Sequence, residues 1–184
     1  MNPERLYFTG NDDADRLIAQ EPLALLIGFA LDQQVTVPTA FLGPLKIKDR
    51  LGGLDAKAIA EMDPGELDAT FRERPAVHRF PGNMAKRVQE LCATIADEYG
   101  GDAERVWTEA KDGDDLRARI GALPGFGDMK TRSLGAVLGK RFGVEAAQSL
   151  IPNHTTLGDV DSPEALERYQ AAKREHKAKM RAQA

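Results

Sequence analysis

Leu123-Pro124-Gly125-Phe126-Gly127-Asp128-Met129-Lys130-Thr131-Arg132-Ser133 is the stretch whose reading decides the fold. Before it, the run from Asp115 to Ala122 sets Leu116 and Ile120 one helical turn apart. After it, the run from Lys130 to Phe142 sets Leu134, Val137, Leu138 and Phe142 at helical spacing. Two glycines flanking one apolar residue permit tight or left-handed backbone. The spacing predicts a glycine turn between two helices. Such a turn leaves consecutive N–H groups beside a helix N-terminus, a geometry suited to an anionic oxygen such as a phosphate.

Outward from the hairpin the chain reads as helix after helix, with strand signals almost absent, so the fold class expected is all-α. Upstream, Asp12 to Ala19 suits a short helix beginning on acids. Pro22 opens the apolar run Leu23 to Leu31, long enough for a buried central helix. Gln33-Gln34 interrupts that apolarity. A further helix is expected from Val35 through Leu45, then short ones over Lys46–Leu51, Asp55–Ala60 and Asp63–Asp68. Pro75 to Asn83 reads as a loop, with Asn83 capping a helix from Met84 to Tyr99 that Gly100-Gly101 ends. Its stripe of Val88, Leu91, Cys92 and Ile95 faces a core, and Ala103–Thr108 reads as a short helix carrying Trp107. Gly143 to Gly158 reads as loop. Ser162-Pro163-Glu164 is a strong helix start, and Lys173 to Arg181 beyond it reads as exposed or frayed.

Composition bounds the function. The 184 residues suffice for one core, and 42% hydrophobic with 29% charged residues is ordinary for a soluble globular protein. No apolar run approaches the roughly 20 residues needed to span a bilayer, so no membrane partner is expected. Met1 to Arg5 begins no signal peptide, which points to the cytoplasm. Cys92 is the only cysteine, which excludes an internal disulfide and a four-cysteine iron–sulfur site. A net charge of −4 argues against a broad electrostatic sponge for nucleic acid. Basic residues nevertheless crowd Arg72–Arg87, Lys130–Arg141 and Lys173–Arg181, leaving room for a local basic face.

Taken in order, three features resemble the helix–hairpin–helix (HhH-GPD) DNA glycosylase superfamily of base-excision repair. They are Leu25 to Val37 with its Gln33-Gln34 pair, Arg79 to Ile95 with Asn83, Ala85 and Lys86, and the hairpin with its following helix from Leu123 to Phe142. The resemblance covers most of the chain. It implies a helical domain over residues 1–163, with the hairpin unit at about 115–142, and a basic C-terminal helix or tail over 164–184. Two helical lobes would hold a DNA-binding cleft between them.

The function implied is that of a monomeric, nucleoid-associated protein that binds duplex DNA, extrudes a damaged base and hydrolyses its N-glycosidic bond. Extrusion costs a few kcal/mol and leaves a hole in the stack. By resemblance Gln34 plugs that hole with Gln33 beside it, an amide being able to both donate to and accept from the orphaned base. Gly125, Phe126 and Gly127 would contact the DNA backbone, with Arg132 and Lys140 as further backbone contacts. His78 is expected at the surface, within reach of a phosphate. No iron–sulfur cluster is expected; a monovalent cation on the hairpin carbonyls is.

Lys130 lies where bifunctional relatives carry the lysine that attacks the sugar and forms a Schiff base. Here Asp128-Met129 stands in place of a single residue, which could turn Lys130 aside. The catalytic aspartate departs further. The family's spacing from Lys130 falls on Gln148, Ser149 and Leu150, none of them acidic. Asp159 and Asp161 come later, and a longer loop could bring one of them back, Asp159 being preferred. Two other readings stay open: a noncatalytic DNA- or lesion-binding protein that kept the hairpin and lost its acid, and a helical interaction module.

Overall fold

Pro22–Leu31 forms α2, the axis of the molecule, and every residue from Leu23 to Leu31 is buried. The run is apolar on all sides, so it is stable as a helix only when other helices surround it. The computed structural model describes residues 2–184, and among these are ten α-helices and no strand. The fold is all-helical, as the sequence leads one to expect.

Helix α1 (Asp12–Gln20) and helix α3 (Val37–Leu51) pack on α2. Gly28 lets α3 approach α2 closely, since a Cβ there would lie 2.3 Å from the Phe41 ring. Phe41 in turn meets Phe8 and Phe29 edge-on, each at 5.1 Å between ring centroids. Helix α3 is continuous where the sequence suggested two pieces, one through Leu45 and the next from Lys46. Pro44 sits inside it, buried, and its missing N–H is outweighed by the apolar face that the unbroken helix buries.

Helices α4 (Ala56–Glu61) and α5 (Pro64–Arg72) pack on α6 (Pro81–Tyr99), which also touches α2. Asp55 and Asp63 cap α4 and α5 through their side chains, as Asn11 caps α1 and Thr36 caps α3. Asn83 caps nothing. Helix α6 begins three residues earlier than expected, because Pro81 at the first helical position supplies a preset φ. Asn83 is thereby carried into the first turn and exposed. Gly100 and Gly101, at φ of 64° and 88°, end that helix in left-handed backbone.

Helix α7 (Arg105–Thr108) leads to α8 (Gly113–Gly121), the turn Ala122–Gly127 and α9 (Asp128–Arg141). The stretch 143–158, expected as loop, holds the 3-10 segment Glu145–Leu150 and most of a second, Leu157–Asp159, both folded against α9. Gly139 and Gly158 permit that contact: a Cβ on Gly158 would meet the Ala136 carbonyl oxygen at 2.7 Å. Helix α10 (Pro163–Ala182) starts at the Ser162 cap, buries Ala165 and Leu166, and carries its basic second half into solvent. One continuous apolar cluster, including Cys92, Trp107, Phe126 and Phe142, joins these helices. No helix among the described residues is long and apolar enough to cross a membrane.

Candidate nucleic-acid groove

The hairpin forms as the glycines allow. Gly125 takes the left-handed region at φ 82°, while Gly127 stays at φ −79° and occupies the N-cap of α9. Phe126 is buried, and its N–H donates to the Leu123 carbonyl at 3.1 Å. Thr131 ties the turn to the helix, its N–H and hydroxyl both donating to the Gly127 carbonyl at 3.0 and 2.9 Å. Among the described residues the N–H groups of Gly125 and Gly127 and of Asp128, Met129 and Lys130 at the start of α9 find no protein acceptor. They open on a groove of about 690 Å³ whose other lining includes Gln33, Arg87, Met129 and Lys130.

Arg87 is the residue that sequence reading missed. It projects from α6, bonds the side-chain oxygen of Gln33 and packs on Gly125, where a Cβ would meet its Cδ at 2.7 Å. One guanidinium thus joins the Gln33 loop to the hairpin. The sequence offers only a basic run from Arg72 to Arg87, and nothing in it singles out the last member. A second cavity of about 420 Å³ adjoins the first through Gln33 and Arg87 and is lined by Gln34, Phe80, Asn83 and Lys86 among others.

Gln34 is exposed and, at φ 58°, is the one non-glycine residue with positive φ among those described. Backbone of that kind costs about 1 to 2 kcal/mol for an L residue and persists only where surroundings impose it. The peptide that precedes Gln34 is held by His78. His78 is buried, not at the surface as expected, with its ring turned to the carbonyls of Leu31 and Gln33. The Phe80 N–H donates to His78 Nδ1 at 2.9 Å, which fixes the proton on Nε2. Nε2–H then faces the Leu31 and Gln33 carbonyls at 3.0 and 3.1 Å. Burial, aided by the charges of Lys130 and Arg87, holds the imidazole pKa below its ordinary value.

Lys130 is half-buried and turned inward. Its ammonium donates to the Ala30 carbonyl at 3.1 Å, linking α9 to the C-terminal end of α2. Burial, and then the neighbouring Arg87, lower its pKa, with Asp32 opposing. These are the two influences that make a lysine nucleophilic, and neither is visible in the sequence. The Asp128-Met129 insertion leaves Lys130 lining the groove and Met129 86% exposed beside it. Arg132 is exposed and pairs with Asp128 at 2.9 Å, a surface contact worth little to stability. It does offset the one carboxylate on the groove's hairpin side.

The aspartates expected from the later loop lie elsewhere. Asp159 accepts from the Thr156 N–H at 2.7 Å in a capping box and pairs with Lys140 at 2.6 Å. Partial burial works to raise its carboxyl, but the bonds from Lys140 and Thr156 prevail and hold it below the usual range. Lys140, expected on the DNA backbone, is spent in that pair. It stands ten residues along α9 from Lys130, about 15 Å at helical rise. Asp161 is exposed before the α10 cap. Neither aspartate lines the groove. The 3-10 segments folded against the far half of α9 keep this loop there.

A helix–glycine turn–helix whose free N–H groups share a groove with a strained glutamine loop and an inward lysine defines a helical, nucleic-acid-directed protein. The chain belongs to the HhH-GPD superfamily of base excision DNA repair proteins, whose family model matches residues 27–184. No curated protein and no solved structure gives a significant match.

Proposed function

We propose that the protein is a DNA N-glycosylase of base-excision repair. It binds duplex DNA by its hairpin, extrudes a damaged base and cleaves the bond between that base and its sugar. One observation carries the reading: Lys130, with its pKa lowered by burial and Arg87, lines one groove together with Gln33 and the hairpin whose N–H groups are free.

The parts divide the work. Gly125, Phe126 and Gly127 present N–H groups to a backbone phosphate at the positive end of α9, with Arg132 near enough to add charge. Gln34, held in a left-handed conformation by the loop His78 secures, enters the stack in place of the lost base. Lys130, when neutral, can attack the sugar C1′ as the C1′–N bond breaks and its electron pair leaves with the base. Loss of a proton from the amine and opening of the C1′–O4′ bond, with O4′ taking up a proton, then give a Schiff base, from which strand-cleaving lyase activity follows. The carbonyls of Pro124 and Gly125 accept no hydrogen bond among the described residues and suit a monovalent cation. An iron–sulfur cluster has no ligand set here: the single cysteine, Cys92, is buried and its thiol is pushed up to about 12 by burial. We take the protein to act as a monomer on chromosomal DNA.

The noncatalytic reading, a lesion-binding protein, draws on one observation: Asp159, the acid nearest the family's pattern, is committed to Lys140. Both readings require binding to duplex DNA that weakens with salt; binding that is absent at low salt ends both. Base release from any member of a panel of damaged duplexes supports the enzyme, and a panel with none leaves only the lesion-binding reading. Borohydride trapping addresses Lys130, whose role is rejected by an adduct that persists in Lys130→Ala.

A further inference from the structure

Asp32 follows the last residue of α2, with its backbone N–H donating to the Phe29 carbonyl. Its position is one that a carboxylate has no structural reason to hold. The C-terminal end of a helix is the negative end of its dipole, where an anion is disfavoured. The side chain is half-buried, and among the described residues no group donates a hydrogen bond to it or pairs with it within 4 Å. Cations surround it at longer range: Lys130 from α9, and Lys173 and Lys177 from α10, where Tyr169 also feels its charge. On the α6 side lie Arg87, bonded to the next residue, Gln33, and buried His78, which grips the carbonyls on either side of Asp32.

Such a carboxylate, fixed in place yet left without a partner, is what a reacting group requires. Unpartnered buried charge costs stability, and proteins break that rule mainly at functional sites. Asp32 does not itself line the groove, but it stands one residue from Gln33, which does, and Lys130, which also lines it, is close enough for their two charges to act on each other. We propose that Asp32, at the end of α2 and not after the hairpin, supplies the carboxylate for N-glycosidic bond cleavage. The assignment rests on the N-glycosylase reading above. In the hydrolytic step a water oxygen bonds to C1′ as the C1′–N bond breaks. The electron pair of that bond leaves with the base, which takes a proton from solvent, and Asp32 accepts the proton lost by the water. Lys173 and Lys177 act as positioning charges. Burial keeps the Asp32 carboxyl above its ordinary range, which makes it a better proton acceptor.

The test is single-turnover base release by the full chain. The probes are duplexes carrying uracil, hypoxanthine, 8-oxoguanine or N3-methyladenine, assayed across pH beside DNA affinity. Wild type is expected to release one of these bases with an acid limb above the ordinary carboxylate range. Asp32→Asn is expected to slow release by about a hundredfold or more with DNA affinity retained, and Asp32→Glu to keep part of the rate with the acid limb displaced. If Asp32→Asn does not fold, Asp32→Glu decides, and an acid limb unmoved from wild type overturns the assignment. Wild-type release in Asp32→Asn overturns it too, while the glycosylase reading stands. Loss of release in Asp159→Asn or Asp161→Asn, with Asp32→Asn unaffected, returns the acid to the loop. A wild type that releases none of the four bases removes the glycosylase reading for these lesions and the assignment with it.

Discussion

Single residues around the groove carry opposed demands of stability and chemistry, and Asp32 states them most sharply. Burial raises its carboxyl, and the attraction of Lys173, Lys130 and Lys177 does not fully offset it. A group whose folded pKa lies above its unfolded value, about 3.9 for aspartate, contributes its full stability below that value. The contribution is lost as pH rises through the folded pKa. Asp32→Asn is therefore expected to be more stable than wild type at neutral pH, with the two converging below about pH 4. Urea midpoints measured at several pH values check this, and a difference that does not change with pH rejects it. Gly125 makes a second case. Alanine there must adopt φ 82° with its Cβ 2.7 Å from Arg87 Cδ. We expect Gly125→Ala to cost about 1 to 2 kcal/mol of stability and to weaken DNA binding, read by urea melts and by fluorescence anisotropy on a duplex.

Between elements, the connection from α2 to α3 shows how a loop can be as fixed as a helix. His78, from the segment before α6, accepts from Phe80 and faces the carbonyls of Leu31 and Gln33. The Leu31 carbonyl also accepts the Gln33 N–H at 2.7 Å, so the Phe80 N–H and the Gln33 carbonyl are the two backbone groups that depend on the imidazole. Each buried group left unpaired costs about 1 to 3 kcal/mol. His78→Ala is expected to lower stability by at least that amount for one group and to speed amide exchange at Gln33 to Val35 above that elsewhere. Exchange that rises uniformly would mean a global loss only. The hairpin was legible because its glycines, its apolar spacing and its helix starts are all local. The left-handed Gln34 was not, since nothing within a few residues of it dictates φ 58°. The residue that holds the Gln33 carbonyl lies more than forty positions away, in a segment that reads as an exposed basic loop.

Across the whole molecule, the close approach of α2 and α3 at Gly28 sets where the end of α2 points. A methyl at Gly28 would overlap the Phe41 ring, which Phe8 and Phe29 already hemmed in. Gly28→Ala is expected to cost about 1 to 3 kcal/mol through overpacking and to reduce DNA binding although it touches no groove residue. Thermal melts and anisotropy check the pair of effects, and lost stability with unchanged binding would uncouple α2 from the groove. By itself the sequence determined the all-helical class, most helix starts and the hairpin, because capping residues, prolines, glycines and apolar periodicity act within a turn or two of the chain. Only the tertiary structure decided which charged residues meet. It brought Arg87 to Gln33, turned Lys130 onto the Ala30 carbonyl, tied Asp159 to Lys140 and left Asp32 without a partner. Those outcomes depend on how buried faces from distant segments pack. The hairpin's anchor could thus be read from its own residues, but the acid beside it could not.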